Sequence, residues 1–398
     1  MPGFELFGEA ERKQVHEVLD TGVLMRYGFE GIRKGHWKAL ELEQALCKRF
    51  QVKHAQLVSS GTAALTVALA SAGVGAGDEV ILPTFTFVAS FEAILSVGAI
   101  PILVDIDDTL TLAPKAVEKA ITPKTKVVMP VHMCGSMAQL DALKDICDTH
   151  GLLLLEDACQ AIGGQYQGKP LGSIGDLGVF SFDYVKTITC GEGGAIITQN
   201  ETYHQNADHY SDHGHDHIGN DRGAEGHPFM GYNYRISELN AAVGLAQLGR
   251  LNEFLSIQKE HYTSIREALS KVEGIVFRKV PEGGVENYSF LSFFLPSPEK
   301  AQAAHKALGE AGIDGCFYWF DNGWHYYRKW EHLIQKRTLG PLPKEIHGGM
   351  PDYSQSDFSQ SDHWMGRTIS CLIKLGWTKH DVSRRAEQMK NVLESIVG

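Results

Sequence analysis

The sequence lacks the marks of several functional classes. Its 398 residues hold only seven cysteines, at 47, 134, 147, 159, 190, 316 and 371, and none form a C-x-x-C pair. That scatter argues against a zinc ribbon or a disulfide framework and fits reduced thiols in a cytoplasm. No apolar run approaches the roughly 20 residues that cross a bilayer. The first 14 residues have neither a basic n-region nor an apolar h-region, so no secretory signal is expected. Positive charge is in deficit, 37 Lys and Arg against 48 Asp and Glu, for a net charge of -11. This balance argues against nucleic acid or an anionic membrane as the main partner. A local basic pocket for an anionic small molecule stays compatible with it. Internal repeats and low-complexity linkers are also missing.

What is present is an alternation of strands and helices. Strand-like runs lie at 79–83, 101–105, 126–132, 152–157, 178–182 and 195–198, with helix-like stretches at 62–72, 88–97, 113–121 and 137–150. Such alternation predicts a mostly parallel sheet covered on both faces. Residues 1–21 and 37–50 read as amphipathic helices, and one long helical stretch reads from Ser237 to residue 271. Beyond it, strands at 275–280, 287–295 and 315–320, a helix at 298–311 and a last helix at 379–396 predict a smaller α/β unit. The expected division is a large domain over 22–250 and a small one over 251–398, with the helix of 1–21 packed on the body. The aromatic, His-rich segment 317–364 has no clear period and reads as an extended loop region.

Five patches fall in a telling order on this plan. Ser59 to Leu65 carries Ser-Gly-Thr where a loop enters a helix, a place where backbone amides hold phosphate, or simply an N-cap. Phe87 follows a strand and can stack on a flat ring, or fill a core. Asp157 ends the apolar run Leu152–Leu155, at the sheet edge where open α/β folds bind ligands. A carboxylate there can keep a pyridine nitrogen protonated, or cap a turn. Lys186 lies between a strand and the Gly-rich stretch Gly191–Gly194, where partial desolvation makes an amine nucleophilic. Gly231 to Ser237 precedes the long helical stretch.

In this order the patches resemble the DegT/DnrJ/EryC1/StrS sugar aminotransferases over nearly the whole chain. The resemblance implies the type I fold of pyridoxal-phosphate enzymes, that of aspartate aminotransferase, and assigns roles. Lys186 matches the lysine that bonds the cofactor, and Asp157 the acid on the pyridine nitrogen. Gln160 matches a residue near the ring hydroxyl and Phe87 the stacking aromatic. Gly61, Thr62, Ala63 and Ser181 match the phosphate cradle. Asn233 matches an asparagine that reaches the phosphate in a neighbouring subunit, which implies a homodimer. The implied cycle takes an amino group from L-glutamate, holds it as pyridoxamine phosphate, and passes it to a keto- or aldehydo-sugar. Related dehydratases carry His where this chain has Lys186.

The stretches MPGFELFG (1–8), VHMCGSMA (131–138), EDACQAIGG (156–164), VKTITCGEGGA (185–195), SDHGHDHIG (211–219) and GCFYW (315–319) narrow the resemblance. They look like the branch that makes 8-amino-3,8-dideoxy-manno-octulosonate, the 8-amino form of Kdo, for lipopolysaccharide. That acceptor bears a carboxylate, for which Arg26, His213, His215 and Arg222 are candidates. Tyr318 and Trp319 are candidate sugar contacts, or else core. The His-Asp run could alternatively bind a metal and support a hydrolase, but a polar loop with no metal is the expectation. A nucleotide-sugar aminotransferase acting at C-3 or C-4 would carry the same five patches, as would a cofactor-binding regulator without turnover.

Overall fold

The computed structural model describes residues 3–219 and 221–398; Met1, Pro2 and Asn220, which belong to or adjoin two of the quoted stretches, lie outside them. A 3-10 turn (Gly3–Leu6) leads into helix α1 (Glu9–Thr21), which stops where Gly22 turns left-handed at φ 73°. In helix α2 (Lys38–Phe50), Ala39, Leu42, Leu46 and Phe50 recur at helical spacing and are buried together.

Alternation then follows: β1 (His54–Val58), α3 (Gly61–Ser71), β2 (Glu79–Pro83), α4 (Val88–Ser96), β3 (Ile100–Val104), α5 (Pro114–Ala120), β4 (Thr125–Val128), α6 (Leu140–His150) and β5 (Leu153–Asp157). Two short strands, β6 (Gln165–Tyr166) and β7 (Lys169–Pro170), precede β8 (Leu177–Ser181) and β9 (Gly194–Thr198). The large sheet has the order β1-β9-β8-β5-β4-β2-β3. β9 is antiparallel to both its neighbours, and the remaining pairs are parallel. Strands β2, β8 and β9 are buried at every position, as a sheet covered on both faces requires. This is the expected α/β architecture. Its register positions the chemistry: Asp157 pairs with Val179 of β8, while Ser181 and Val58 both pair with Gly194. The ends of β1, β5 and β8 therefore meet at one edge.

Helix α7 (Glu201–Ser211) was not anticipated. The single long helical stretch is in fact two helices, α8 (Glu238–Gly249) and α9 (Leu251–Leu269). Gly249 weakens the helix, and Arg250 leaves helical geometry (φ -99°, ψ 1°) with its guanidinium bonded to the Leu6 carbonyl and 3.2 Å from Glu11.

Next come β10 (Val276–Phe277), β11 (Gly284–Val285), β12 (Phe290–Phe294), α10 (Pro298–Glu310) and β13 (Cys316–Phe317). Helices α11 (Glu331–Ile334), α12 (Lys344–Gly349) and α13 (Ser359–Met365), strand β14 (Thr368–Leu372) and helix α14 (Lys379–Val397) complete the chain. The second sheet, β10-β12-β14-β13, is antiparallel throughout. It packs with α9, α10 and α14 around Leu269, Leu291, Phe293, Leu308, Ile369 and Met389.

Segment 317–364 corrects the loop expectation. It carries three short helices and buries Tyr326, Tyr327, Trp330 and Tyr353. Ser361 Oγ donates to Asp105 Oδ1 at 2.6 Å and accepts from Thr84 Oγ1 at 2.8 Å, fastening the segment to the large sheet. Helices of four to seven residues bury side chains on several sides, so no helical period survives in the sequence.

Candidate active site

Asp157 stands at the shared edge, 3% exposed. Its Oδ2 accepts a hydrogen bond from Ser90 Oγ (2.8 Å) and its Oδ1 one from the Cys159 amide (3.1 Å). Ser90 is braced in turn by Thr86 Oγ1 at 2.7 Å. Sequence reasoning missed both hydroxyls, although they lie in the patch around Phe87. Gln160 is fixed through Oε1, which accepts from the Cys134 amide at 2.9 Å, and through its carbonyl, which accepts from Asn287 Nδ2 at 3.0 Å.

Across this edge, Ser60 caps α3 and its Oγ accepts from the Ala63 amide at 3.0 Å. Ala63 therefore spends its N–H on the cap, while Gly61 and Thr62 hold first-turn amides that helix geometry leaves without intrahelical partners. The backbone is tightly packed here. A Cβ on Gly61 would meet Ser181 Cβ at 2.7 Å, and one on Gly194 would meet the Ser60 carbonyl oxygen at 2.2 Å. Glycine at these positions lets the ends of β1, β8 and β9 close around the start of α3. Ser181 Oγ accepts from the Asp183 amide at 3.3 Å.

Lys186 lies on the β8–β9 connection. Its amide donates to the Asp183 carbonyl (3.0 Å) and its carbonyl accepts from Gly3 N (3.0 Å). Phe182 donates to Gly193 O at 2.8 Å and Cys190 donates back to Phe182 O at 2.9 Å, closing the hairpin. The Lys186 charge reaches two half-buried neighbours. Burial and then the Asp157 charge push the Cys159 thiol well up, with Lys186 opposing them. Burial and then Lys186 push the His325 imidazole down to about 3. Cys159 and His325 thus both lie within the electrostatic reach of Lys186, and the Cys159 amide is bonded to Asp157.

His325 and Trp324 come from the aromatic, His-rich segment. The His325 ring lies 5.3 Å from Phe87 and 4.5 Å from Trp319. His325 Nδ1 is 2.8 Å from Asn322 Oδ1, an acceptor, so Nδ1 carries the hydrogen and Nε2 the lone pair. Phe87, 37% exposed, faces Trp324, 63% exposed, at 6.1 Å and 21° between planes. The backbone links the two: the Thr86 and Val88 amides donate to the His325 and Trp324 carbonyls at 3.0 and 2.8 Å.

The substrate candidates scatter. Arg26 is 7% exposed and ion-paired to buried Glu43, so its guanidinium is committed inside the fold. Tyr318 is core, its hydroxyl donating to the Gly366 carbonyl at 2.9 Å. Trp319 is buried behind His325, stacked on Phe317 at 4.5 Å. Arg222 forms a bidentate pair with fully buried Asp212 (3.0 and 3.2 Å), a carboxylate also bound by Arg235 and His217. His217 spans Asp208 at 2.7 Å and Asp212 at 2.9 Å, which raises it to about 9 against the cost of burial. His215 lies 2.8 Å from Glu225 without hydrogen-bond alignment, and the His213 side chain is exposed. The His-Asp run is thus largely spent in ion pairs. Among the described residues, no group of three or more His, Cys, Asp or Glu is placed to hold a metal ion. Also among them, no helix is long and apolar enough to cross a membrane. Asn233 is exposed and bridges in register to Asp212.

Residues 7–340 match the model of the DegT/DnrJ/EryC1/StrS aminotransferase family. The chain is 35% identical over 320 residues to the 3-amino-5-hydroxybenzoate synthase of Amycolatopsis mediterranei, covering 78% of this chain and 79% of that one. It is 35% identical over 344 residues to the GDP-perosamine synthase of Vibrio cholerae, covering 83% and 87%. The PLP-form of a putative sugar aminotransferase, Spr1654 of Streptococcus pneumoniae, superposes with a TM-score of 0.82 at 25% identity, covering 98% of each chain. The chain belongs to the DegT/DnrJ/EryC1/StrS family and is a pyridoxal-phosphate-dependent aminotransferase.

Proposed function

We propose that Lys186 carries the cofactor and that the acceptor is a sugar acid, 8-oxo-Kdo, aminated at C-8 with L-glutamate as donor. The observation that carries the transamination site is the placement of Lys186 on the connection that leaves β8, next to the strand end where buried Asp157 is held by Ser90 and the Cys159 amide. The residues fit pyridoxal phosphate. The Gly61 and Thr62 amides and the Ser181 hydroxyl would hold the phosphate at the positive end of α3. Phe87 offers a half-exposed ring face, and Gln160 is fixed next to Asp157. Asn233, exposed on the loop that precedes α8, would reach a second copy's phosphate in a homodimer.

When bound, the cofactor supplies an electron sink for the carbon that loses its proton. Asp157 would pair with the ring nitrogen and keep it protonated. The bonds from Ser90 and the Cys159 amide hold that carboxylate in place. Lys186 Nζ would hold the cofactor and, when free, would move the donor's Cα proton as general acid and base. Burial keeps His325 neutral beside it, so the imidazole adds no competing charge.

The acceptor reading is supported by the six quoted stretches and by the exposed aromatic rim of Phe87 and Trp324, a surface that suits a sugar ring. A second reading, a nucleotide-sugar aminotransferase, is favoured by the identity with GDP-perosamine synthase. One preparation, given L-glutamate and either 8-oxo-Kdo or a nucleotide-linked keto-sugar, separates the two by the mass of the amino product. Turnover of the nucleotide sugar alone overturns the first reading.

A further inference from the structure

Cys316 and Cys371 face each other across β13 and β14, with Sγ atoms 2.8 Å apart and both thiols free. The pairing geometry favours a bond. Leu372 N donates to the opposite Gly315 carbonyl at 2.8 Å, so Gly315 and Leu372 form a hydrogen-bonded pair. The next pair in register, Cys316 and Cys371, is therefore of the non-hydrogen-bonded kind, in which Cα atoms approach to about 4.5 Å. That separation lies within disulfide range.

The two sulfurs differ in the way that sequential oxidation needs. β13 is the edge of its sheet and leaves Cys316 partly exposed, whereas Cys371 on the inner strand β14 is buried. Arg385 Nη2 lies 3.8 Å from Cys316 Sγ. Cys371 as hydrogen-bond donor, with Arg385 as nearby cation, draws the Cys316 thiol down despite burial. Burial pushes the other six thiols up. Thiolate character and access select the cysteine that peroxide attacks.

We propose that Cys316 and Cys371 form a reversible oxidation site, closed to a disulfide by hydrogen peroxide or a related peroxide. The Cys316 thiolate attacks one peroxide oxygen, the O–O bond breaks, and the departing hydroxide takes a proton to become water. Cys316 is then a sulfenic acid. Cys371 gives up its proton and attacks the Cys316 sulfur; the S–O bond breaks, a second water leaves, and the S–S bond forms. Two electrons pass from the sulfurs to the peroxide. The loop so closed spans residues 317–370, which include Trp324 and His325, so the link ties together both ends of the segment that lines the active site.

The test treats cofactor-loaded full-length protein with stepwise hydrogen peroxide. Expected are a loss of 2 Da in intact mass, a fall from seven to five titratable thiols in denaturant, and a peptide linking residues 316 and 371. These changes precede modification of any other cysteine, and dithiothreitol reverses them. Cys371→Ser should stop at a dimedone-trappable sulfenic acid on residue 316, and Cys316→Ser should leave Cys371 unoxidised. Oxidation starting at another cysteine, or passage of Cys316 to sulfinic acid in wild type with Cys371 still free, would overturn the proposal.

Discussion

His217 offers a sharp test of how the structure holds the loop that carries Asn233. Its ring bridges Asp208 and Asp212, and Asp212 is in register with Asn233. The imidazole rises from 6.5 to about 9, lifted by hydrogen bonds and charge from the two carboxylates against desolvation. At 1.36 kcal/mol per pKa unit, that rise corresponds to about 3 kcal/mol in favour of the fold. The sign follows from linkage: a raised folded-state pKa stabilises fully below about 6.5, fades between 6.5 and 9, and is lost above 9. His217→Gln keeps a polar side chain and removes the charge. With an unfolding entropy of roughly 2 cal/mol/K per residue over 398 residues, the variant should melt about 4 °C below wild type near pH 6. By pH 9.5 most of that gap should close. Thermal melts of both proteins at one protomer concentration across this range decide it. A gap constant from pH 6 to 9.5 would show that His217 is not charged in the fold.

Three substitutions probe the rest of the account. Gly194→Ala places a methyl 2.2 Å from the Ser60 carbonyl and must displace the start of α3, so cofactor affinity measured by absorbance titration should fall at least tenfold, or about 1.4 kcal/mol. Unchanged affinity would remove that cradle from the site. Arg26→Met strands buried Glu43 and should cost about 3–5 kcal/mol of stability; an unchanged melt with a raised KM for the acceptor would return Arg26 to the substrate. Tyr318→Phe leaves the Gly366 carbonyl without its donor and should cost about 1–3 kcal/mol without altering kcat/KM, and a selective loss of acceptor kinetics would contradict its core assignment.

The large sheet was legible because its buried strands are short, nearly continuous apolar runs, as at β2, β5 and β8. The positions of Asp157 at the end of β5 and of Lys186 just past β8 were legible because apolar strand runs and a glycine-rich stretch mark those boundaries. The split at Arg250 was not, since it depends on contacts to Leu6 and Glu11 more than 200 residues away. Strand β14 and the burial of Tyr326 and Trp330 depend likewise on distant packing, which no local period records. The charged candidates misled for a related reason. Arg26 and Arg222 look like anion ligands in sequence, and only the fold shows that Glu43 and Asp212 already claim them. His325 is the converse case, a residue of the aromatic run whose ring only the fold sets against Asn322, Phe87 and Trp319.

The central claim is that Lys186 bonds the cofactor and then moves the proton that transfers the amino group. Its most direct test is the visible spectrum of the reconstituted protein before and after L-glutamate alone, for wild type and Lys186→Ala. The account predicts a yellow lysine-linked band in wild type that fades as glutamate converts the cofactor to its amino form, and no such band in the variant. A band in Lys186→Ala that glutamate still converts at the wild-type rate would contradict it.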